Sequence, residues 1–299
     1  GTGDFDFSRA TEATRINSLG LVETIGINLP RINYEGGCGS WLWEPQSTNL
    51  YLNSETLSTQ TITTTANQYS VSFYGTGTIT FSGTHTGSLI GTGLNDRVTA
   101  TFTATAGTLT STINGTVTKA QIEQLSYTTS YIPTSGSTVT RNQDLCTNGA
   151  SVASINSTEG VLYFEGSSLV NGGANRYISL SNNTSSNRLQ VIFHNNSNRL
   201  SIGMANPIGS VSSINDFSFV QTNNNKVAVS YSALGLKLFV NGILRGSNTD
   251  NASFTPNTLT TLDFALWNQT TAPFEGNTKC LAVWKEALTD AELISLTTI

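Results

Sequence analysis

The sequence is poor in charge. Charged residues make up 11% of its 299 residues, against roughly 25% in an average soluble protein. It also has no stretch near the roughly 18 consecutive apolar residues of a membrane-spanning helix, so we expect no membrane insertion. Thr, Ser, Asn and Gly supply the polarity instead. The net charge is −5 and Lys and Arg form no cluster, which argues against a nucleic acid as partner.

Cysteine and histidine are also scarce. Cys38, Cys146 and Cys280 are widely separated and form no CxxC pair, and neither His85 nor His194 is near them in sequence. We therefore expect no zinc site and no other resident metal. Three free cysteines, buried as small apolar side chains, are favoured over the alternative of one disulfide.

Residues 1–60 are the least regular part of the chain. They show few alternating runs, and turn residues such as Pro30, Gly36 and Pro45 interrupt them. We interpret this segment as an extended arm with a few strands. It is too apolar for a solvated linker, so the following domain or another copy of the chain must cover it. The apolar side chains concerned are Leu21, Val22, Ile25, Leu29, Ile32, Trp41 and Trp43.

Alternation of apolar and polar residues predicts β-structure over 61–145 and over 146–299. The stretch 138–160 lacks this pattern and contains the expected domain boundary. Asn241-Gly242 predicts a type I′ hairpin. The side chains expected to face inward in the second domain are Ile178, Leu180, Leu189, Val191, Phe193, Leu200, Ile202, Met204, Val227, Val229 and Tyr231.

The chain ends on a helix signal. Thr289 is placed as N-cap, and Glu292 three residues later completes a capping box. Leu288 and Leu293 can form a hydrophobic staple across the cap. A helix this short is not stable alone, so it must pack on the preceding domain. We expect Trp284, in the strand before the helix, to lie in the core.

Several runs in residues 155–299 resemble the laminin-G-like, concanavalin A-like jelly-roll family. The matching runs are YFEGSSL, RYISLSN, KVAVSYS, LKLFVNG and LAVWKEALTDAEL. Upstream, QIEQLSYTTSYIPTSGSTVTRNQD resembles the closing strands of a carbohydrate-binding-module jelly roll, and residues 8–50 resemble a segment that precedes such modules in bacteriophage fibre proteins. The resemblance implies an all-β chain: an irregular arm, two antiparallel jelly-roll sandwiches and a short C-terminal helix.

The carboxylates do not predict an enzyme. Glycosidases on the concanavalin-like fold carry an E-x-D-x-x-E strand, which this sequence lacks. Glycoside hydrolysis needs two carboxyl groups at a defined separation. The acids of the second domain before its terminal helix region are instead scattered, at Glu159, Glu165, Asp216, Asp250, Asp263 and Glu275. We therefore expect no catalytic residues.

Sugar-binding residues can be proposed by strand parity. Tyr177, Arg188, Gln190 and His194 fall on the outward parity of adjacent-looking strands, so they can line one exposed sheet face. A glycan groove and a merely solvated face both fit this pattern. Trp267 and Asn268 end another strand and are the best loop-borne candidates. Calcium is common in this fold, but only Asp250 and Asn251 suggest ligands, and no spacing supports them.

The resemblance predicts a non-enzymatic phage virion appendage, a fibre or spike that binds host surface polysaccharide. Such appendages are commonly homotrimers in contact with other virion proteins, and the location is then the extracellular virion. Because the chain starts at Gly1 without Met, we expect a processed product or a longer protein. The alternatives are a secreted bacterial glycan-binding module of a larger enzyme and a polysaccharide depolymerase.

Overall fold

Threonine-rich alternating runs form antiparallel strands along most of the chain. The structure is a computed structural model that describes residues 4–206 and 211–299. The chain divides into two units. The large unit comprises residues 4–8, 39–44 and 144–299, and the small unit comprises residues 9–38 and 45–143.

The described strands are short, and one helix follows them. In chain order they are β1 (Asp6–Ser8), β2 (Ala13–Ile16), β3 (Val22–Ile25), β4 (Ile32–Asn33), β5 (Ser40–Trp43), β6 (Ser47–Asn49), β7 (Gln60–Thr64), β8 (Asn67–Gly75), β9 (Thr78–Gly83), β10 (Gly87–Ile90), β11 (Gly93–Ala104), β12 (Gly107–Asn114), β13 (Thr118–Glu123), β14 (Val139–Arg141), β15 (Leu145–Thr147), β16 (Gly160–Ser168), β17 (Arg176–Ser181), β18 (Arg188–Phe193), β19 (Leu200–Ala205), β20 (Val211–Asp216), β21 (Asn225–Ser232), β22 (Gly235–Val240), β23 (Ile243–Asn248), β24 (Thr261–Asp263), β25 (Gly276–Trp284) and α1 (Asp290–Thr297).

The small unit is an antiparallel sandwich. Its sheets have the strand orders β11-β8-β13 and β10-β9-β12-β7, with the pairs β14-β6 and β2-β3 beside them. Val71 and Phe73 of β8 are fully buried with Ile79 of β9, as their alternation predicts. Tyr51, from the segment predicted to be an arm, is also fully buried in this core, where its hydroxyl shares a hydrogen bond with Ser111.

Residues 1–60 do not form a separate arm, so the predicted boundary at 60 differs from the structure, whereas the large unit resumes at Asp144, close to the predicted boundary at 145. Residues 9–38 and 45–60 belong to the small unit, and residues 39–44 belong to the large one. The buried Arg9 explains part of the difference, because its guanidinium donates to the carbonyls of Thr11, Gly26 and Leu29. Backbone contacts of this kind leave no periodic signal in the sequence.

The large unit is a second antiparallel sandwich. Six of its strands follow the order β23-β22-β21-β16-β25-β5, and a five-stranded sheet follows the order β20-β19-β18-β17-β24. The core contains every side chain predicted to face inward in this domain, each with at most 1% of its surface exposed. The Asn241-Gly242 hairpin is also confirmed, since both residues have positive φ between β22 and β23.

Trp43 and Trp41 differ in burial although they are two residues apart on β5. Trp43 is 2% exposed in the core of the large unit and donates its indole N–H to Thr278 Oγ1 at 3.0 Å. Trp41 packs edge-on against Trp43 and remains 36% exposed. We expected either the following domain or another copy of the chain to bury Trp43. In the structure, the core of the large unit buries it.

Helix α1 packs on the face of the six-stranded sheet that points away from the main core. The capping box is confirmed: the Thr289 side chain accepts from the Glu292 N–H, and the Glu292 carboxylate accepts from the Thr289 N–H at 2.8 Å. Leu293 is fully buried against this sheet, in a cluster that includes Leu288. Trp284, which we expected in the core, is partly buried against this second cluster, edge-on to Tyr163, and does not lie in the main core.

The cysteines are all free, but only Cys146 is buried. The prediction of burial is wrong for Cys38 and Cys280, which are exposed. Cys280 lies on the face of β25 that points away from the main core. Burial raises the pKa of the Cys146 thiol. Across the described ranges, no helix has the length and hydropathy needed to cross a membrane.

Candidate functional site

The outer face of the five-stranded sheet is polar. Residues of one parity in this sheet are in the core, so the other parity points outward. We call this outward set the polar face. Its members are Tyr177, Ser179, Ser181, Arg188, Gln190, Ile192, Ser201, Gly203, Ala205, Ser213, Asn215, Thr261 and Asp263.

Hydrogen bonds link Arg188 and Gln190 of β18 to Ser179 of β17, and Tyr177 of β17 lies close to Arg188. The Arg188 Nε donates to Gln190 Oε1 at 3.0 Å, and Gln190 Nε2 donates to Ser179 Oγ at 3.1 Å. Burial lowers the pKa of Arg188, while the neighbouring Tyr177 acts in the opposite direction. These four residues form the Arg188 group. The predicted parity of Tyr177, Arg188 and Gln190 therefore brings them together.

Gln190 is less accessible than a surface residue. It is 3% exposed and Ser179 is fully buried. The cause is the chain after β24, because the Ser179 hydroxyl donates to the carbonyl of Ala265 at 2.7 Å. Gln190 therefore orients Arg188 rather than offering its own amide to a ligand.

A second group lies at the other end of β18, and sequence reasoning found only His194 in it. Arg199 Nε donates to Ser201 Oγ at 3.2 Å, and its Nη2 donates to Asn215 Oδ1 at 2.8 Å. Its guanidinium also lies 5.1 Å from the ring centroid of Phe217. Phe217 is 70% exposed. We call His194, Arg199, Ser201, Asn215 and Phe217 the Arg199 group.

His194 contacts its own turn. Its Nδ1 accepts a hydrogen bond from the Asn196 N–H at 3.1 Å. Burial lowers the pKa of His194, and the charge of Arg199 lowers it further. His194 is therefore a neutral ring at pH 7 rather than a third cation.

Asp263 is a buried carboxylate on the polar face. It accepts hydrogen bonds from the Asn148 N–H at 2.8 Å, the Thr261 hydroxyl at 3.0 Å and the Gln269 side-chain amide at 3.0 Å. Burial raises its pKa, and these three donors oppose that effect. Because Gln269 belongs to the turn after β24, Asp263 fixes that turn to the sheet.

Trp267 and Asn268 lie in this turn, which is closed by the Leu266 N–H donating to the Thr271 carbonyl at 3.1 Å. The Asn268 Oδ1 accepts from both the N–H and the hydroxyl of Thr271. Trp267 is half-buried. The turn also contacts β17 directly, where the Tyr177 N–H donates to the Ala272 carbonyl at 3.3 Å.

No metal centre is assembled in the described parts of the chain, where no three His, Cys, Asp or Glu side chains group together. The Asn251 side-chain oxygen, one of two calcium ligands considered from the sequence, accepts from the N–H and hydroxyl of Ser253. Asp250 beside it is exposed.

A family comparison agrees with the architecture of the large unit. Residues 167–294 match the family Laminin_G_3, described as the concanavalin A-like lectin/glucanases superfamily. The matched segment starts in β16 and ends in α1, so it spans both sheets that form the core. A comparison with curated proteins found no match.

Solved structures resemble up to half of the chain. The Ruminococcus gnavus IT-sialidase CBM40 bound to alpha2,3 sialyllactose is 19% identical with a TM-score of 0.41, over 48% of this chain and 83% of that one. The leech intramolecular trans-sialidase is 22% identical with a TM-score of 0.40, over 48% and 24%. The botulinum neurotoxin serotype G binding domain is 16% identical with a TM-score of 0.40, over 50% and 39%.

Proposed function

We propose that the large unit is a glycan-binding module, that it binds through the polar face, and that it performs no catalysis. The observation that carries this proposal is the Arg188 group, which presents an aromatic ring and a guanidinium held in place by a buried amide. Binding sites for small polar ligands are built from a few oriented polar groups beside apolar surface.

The family match supports the same proposal, since its description includes lectins. It also includes glucanases, but hydrolysis requires two carboxyl groups at a defined separation. The carboxylate of the polar face, Asp263, is fully buried and accepts three hydrogen bonds from the protein. Asp263 is therefore better suited to fixing the turn after β24 than to proton transfer.

Binding of the intact protein to a glycan array tests the proposal. Tyr177→Ala should weaken binding by about 1–3 kcal/mol, by analogy with aromatic hot spots in interfaces. Trp267→Ala tests whether the adjoining turn takes part. Tyr34→Ala, another half-buried tyrosine but in the small unit, serves as control and should bind normally. Absence of binding to any glycan, or unchanged binding by Tyr177→Ala, contradicts the proposed site.

We further propose that the protein is a structural and adhesive part of a bacteriophage virion, in contact with other virion proteins. The support is the resemblance of the segment order to phage appendages: an irregular N-terminal part, a small jelly roll and then a laminin-G-like domain. Identifying the neighbouring polypeptides in its natural assembly tests this role. Capsid or tail proteins would support it, whereas a catalytic domain on the same secreted chain would favour a bacterial module.

A further inference from the structure

The half-buried charges on the outer side of β18 and β19, Arg188 and Arg199, are both positive. Asp263, the carboxylate in the described part of this face, has no exposed surface. The exposed Asp6 carboxylate lies at the β24 edge of this face, where Asn148 connects it to Asp263. The protein as a whole carries a net charge of −5, so the positive charge of the two arginines is opposite in sign to the net charge of the protein. A local cationic surface on an acidic protein favours an anionic ligand.

Along the strand direction the two arginines extend towards the same part of the sheet, and Arg199 also reaches across to Asn215 on β20. Arg188 leans along β18 to Gln190, and Arg199 leans along β19 to Ser201. Since β18 and β19 are antiparallel, these directions converge. Gln190 pairs with Gly203, and Ser201 pairs with Ile192, which are adjacent rows of the ladder. The guanidinium groups therefore end on neighbouring rows of one sheet face.

Both guanidinium groups are held by hydrogen bonds, but each keeps N–H donors that have no partner in the part of the chain that the structure describes. Each uses its Nε within the sheet, and Arg199 also uses Nη2. Among the described residues, Arg188 Nη1 and Nη2 and Arg199 Nη1 have no hydrogen-bond partner. A guanidinium fork matches the two oxygens of a carboxylate, so unused N–H donors of this kind favour that group.

The floor between the arginines is apolar, because Gly203 has no side chain and the tip of the Ile192 side chain lies beside it. Gly203 occupies the row of Gln190 on β19, and a Cβ built there would meet Ile192 Cδ1 at 3.3 Å. Ala205 and Ser213, on adjacent rows and strands, are also small. Each arginine has an aromatic ring nearby: Tyr177 in the Arg188 group and Phe217 in the Arg199 group. A sugar ring can approach this floor while its anionic group lies between the arginines.

We infer that the glycan bound here carries a carboxylate, held by Arg188 and Arg199 above Gly203. This inference rests on the proposed glycan binding and narrows its ligand to acidic sugars. It concerns recognition only, with no bond made or broken. Neither the Arg199 group nor the sign of the charge was predicted from the sequence.

A carboxylate can be masked chemically without changing the rest of the sugar, which gives a direct test. The intact protein is offered acidic oligosaccharides, including oligogalacturonates, beside their carboxyl methyl esters and sulfated oligosaccharides. Binding of the free acids should exceed binding of the esters by about tenfold or more, as for a hydrogen bond to a charged group. Equal binding of acids and esters, or binding of sulfated sugars alone, overturns this inference and leaves glycan binding intact. Binding of no glycan overturns the proposed function as well.

Charge substitutions then locate the site. Arg188→Gln and Arg199→Gln should each weaken binding of the free acid by about tenfold and leave binding of the ester unchanged. Lys279→Gln is the matched control, because it removes a positive charge from β25 of the other sheet, at an exposed position. Arginine variants that bind the acid as the parent protein does would refute the assignment. The comparison of acid with ester needs no substitution, so it decides the question even if a variant fails to fold.

Discussion

At the scale of single residues, hydrogen bonds hold the polar side chains that are buried on the polar face. Gln190 and Asp263 both lie on the outward parity of the five-stranded sheet, yet they are 3% and 0% exposed. Burial of a polar group without partners is costly, so each needs a nearly complete set of hydrogen bonds. The Ser179 hydroxyl and the Gln269 amide provide such bonds.

Asp263→Asn should preserve the fold and change its pH dependence. The new amide keeps Oδ1 for the Asn148 N–H and Gln269, and its N–H can donate to Thr261. Because burial raises the pKa of Asp263, the unfolded chain releases this proton at lower pH than the folded one. As pH rises from the pKa of Asp263 in the unfolded chain through its pKa in the folded protein, ionisation of Asp263 therefore lowers the free energy of unfolding. Below both pKa values Asp263 makes no such contribution.

Thermal unfolding of Asp263→Asn and the parent across this pH range measures the effect. The stability of the variant relative to the parent should increase as pH rises. Asp263→Leu provides the contrast, because it removes the acceptor of the Asn148 N–H and should destabilise the protein at every pH. If the stability of Asp263→Asn relative to the parent instead decreases as pH rises, the hydrogen bonds to the carboxylate have a larger effect on its pKa than burial has.

At the scale of elements, helix α1 depends on its cap and on one buried leucine. Leu293→Ala should cost about 2–5 kcal/mol, because Leu293 is fully buried against the sheet. Thr289→Ala should cost about 1 kcal/mol through loss of the N-cap. Ile294→Ala, next to Leu293 but 43% exposed, is the control and should cost much less. Chemical unfolding of the variants gives these values; a larger loss for Ile294 than for Leu293 would contradict this packing.

The elements also show which parts of the fold the sequence can predict. Strict alternation predicted the inward face of β17, β18 and β19, and the Asn-Gly pair predicted the β22–β23 hairpin. The place of Trp43 could not be predicted, because its partner Thr278 is 235 positions away. The Arg199 group was missed for a similar reason, since Phe217 lies in a loop without periodicity. Strand parity predicted most of the Arg188 group. The Arg199 group depends on tertiary contacts that leave no pattern in the sequence.

At the scale of the whole molecule, the first 60 residues contribute to both cores. Tyr51 and Leu57 are buried in the core of the small unit, and Trp43 is buried in that of the large unit. A chain that begins at residue 61 should therefore lose cooperative unfolding and expose apolar surface. Calorimetry and dye binding on this chain and the intact one measure the effect. A shortened chain that unfolds as sharply as the intact protein would show that these contacts are dispensable.

Assembly must therefore be tested with point substitutions in the intact chain. The β2–β3 hairpin, the loop after it and β4 leave several apolar side chains exposed. They are Leu19 (80%), Leu21 (53%), Ile27 (55%), Leu29 (55%) and Ile32 (39%). Monomers rarely expose large contiguous apolar patches, and closed symmetric assembly is the usual way to bury them. We propose that this segment lies in the interface of a homotrimer.

Light scattering on the intact protein should give three times the mass of one chain. Leu19→Ser combined with Leu21→Ser should shift this mass towards the monomer, because both side chains then leave polar hydroxyls in the interface. Leu234→Ser, at a residue that is 87% exposed between β21 and β22, should leave the trimer unchanged. Since none of these leucines lies in a core, thermal unfolding of the monomeric form should stay cooperative. A monomeric parent protein, or a trimer that tolerates the double substitution, would exclude this segment as the interface.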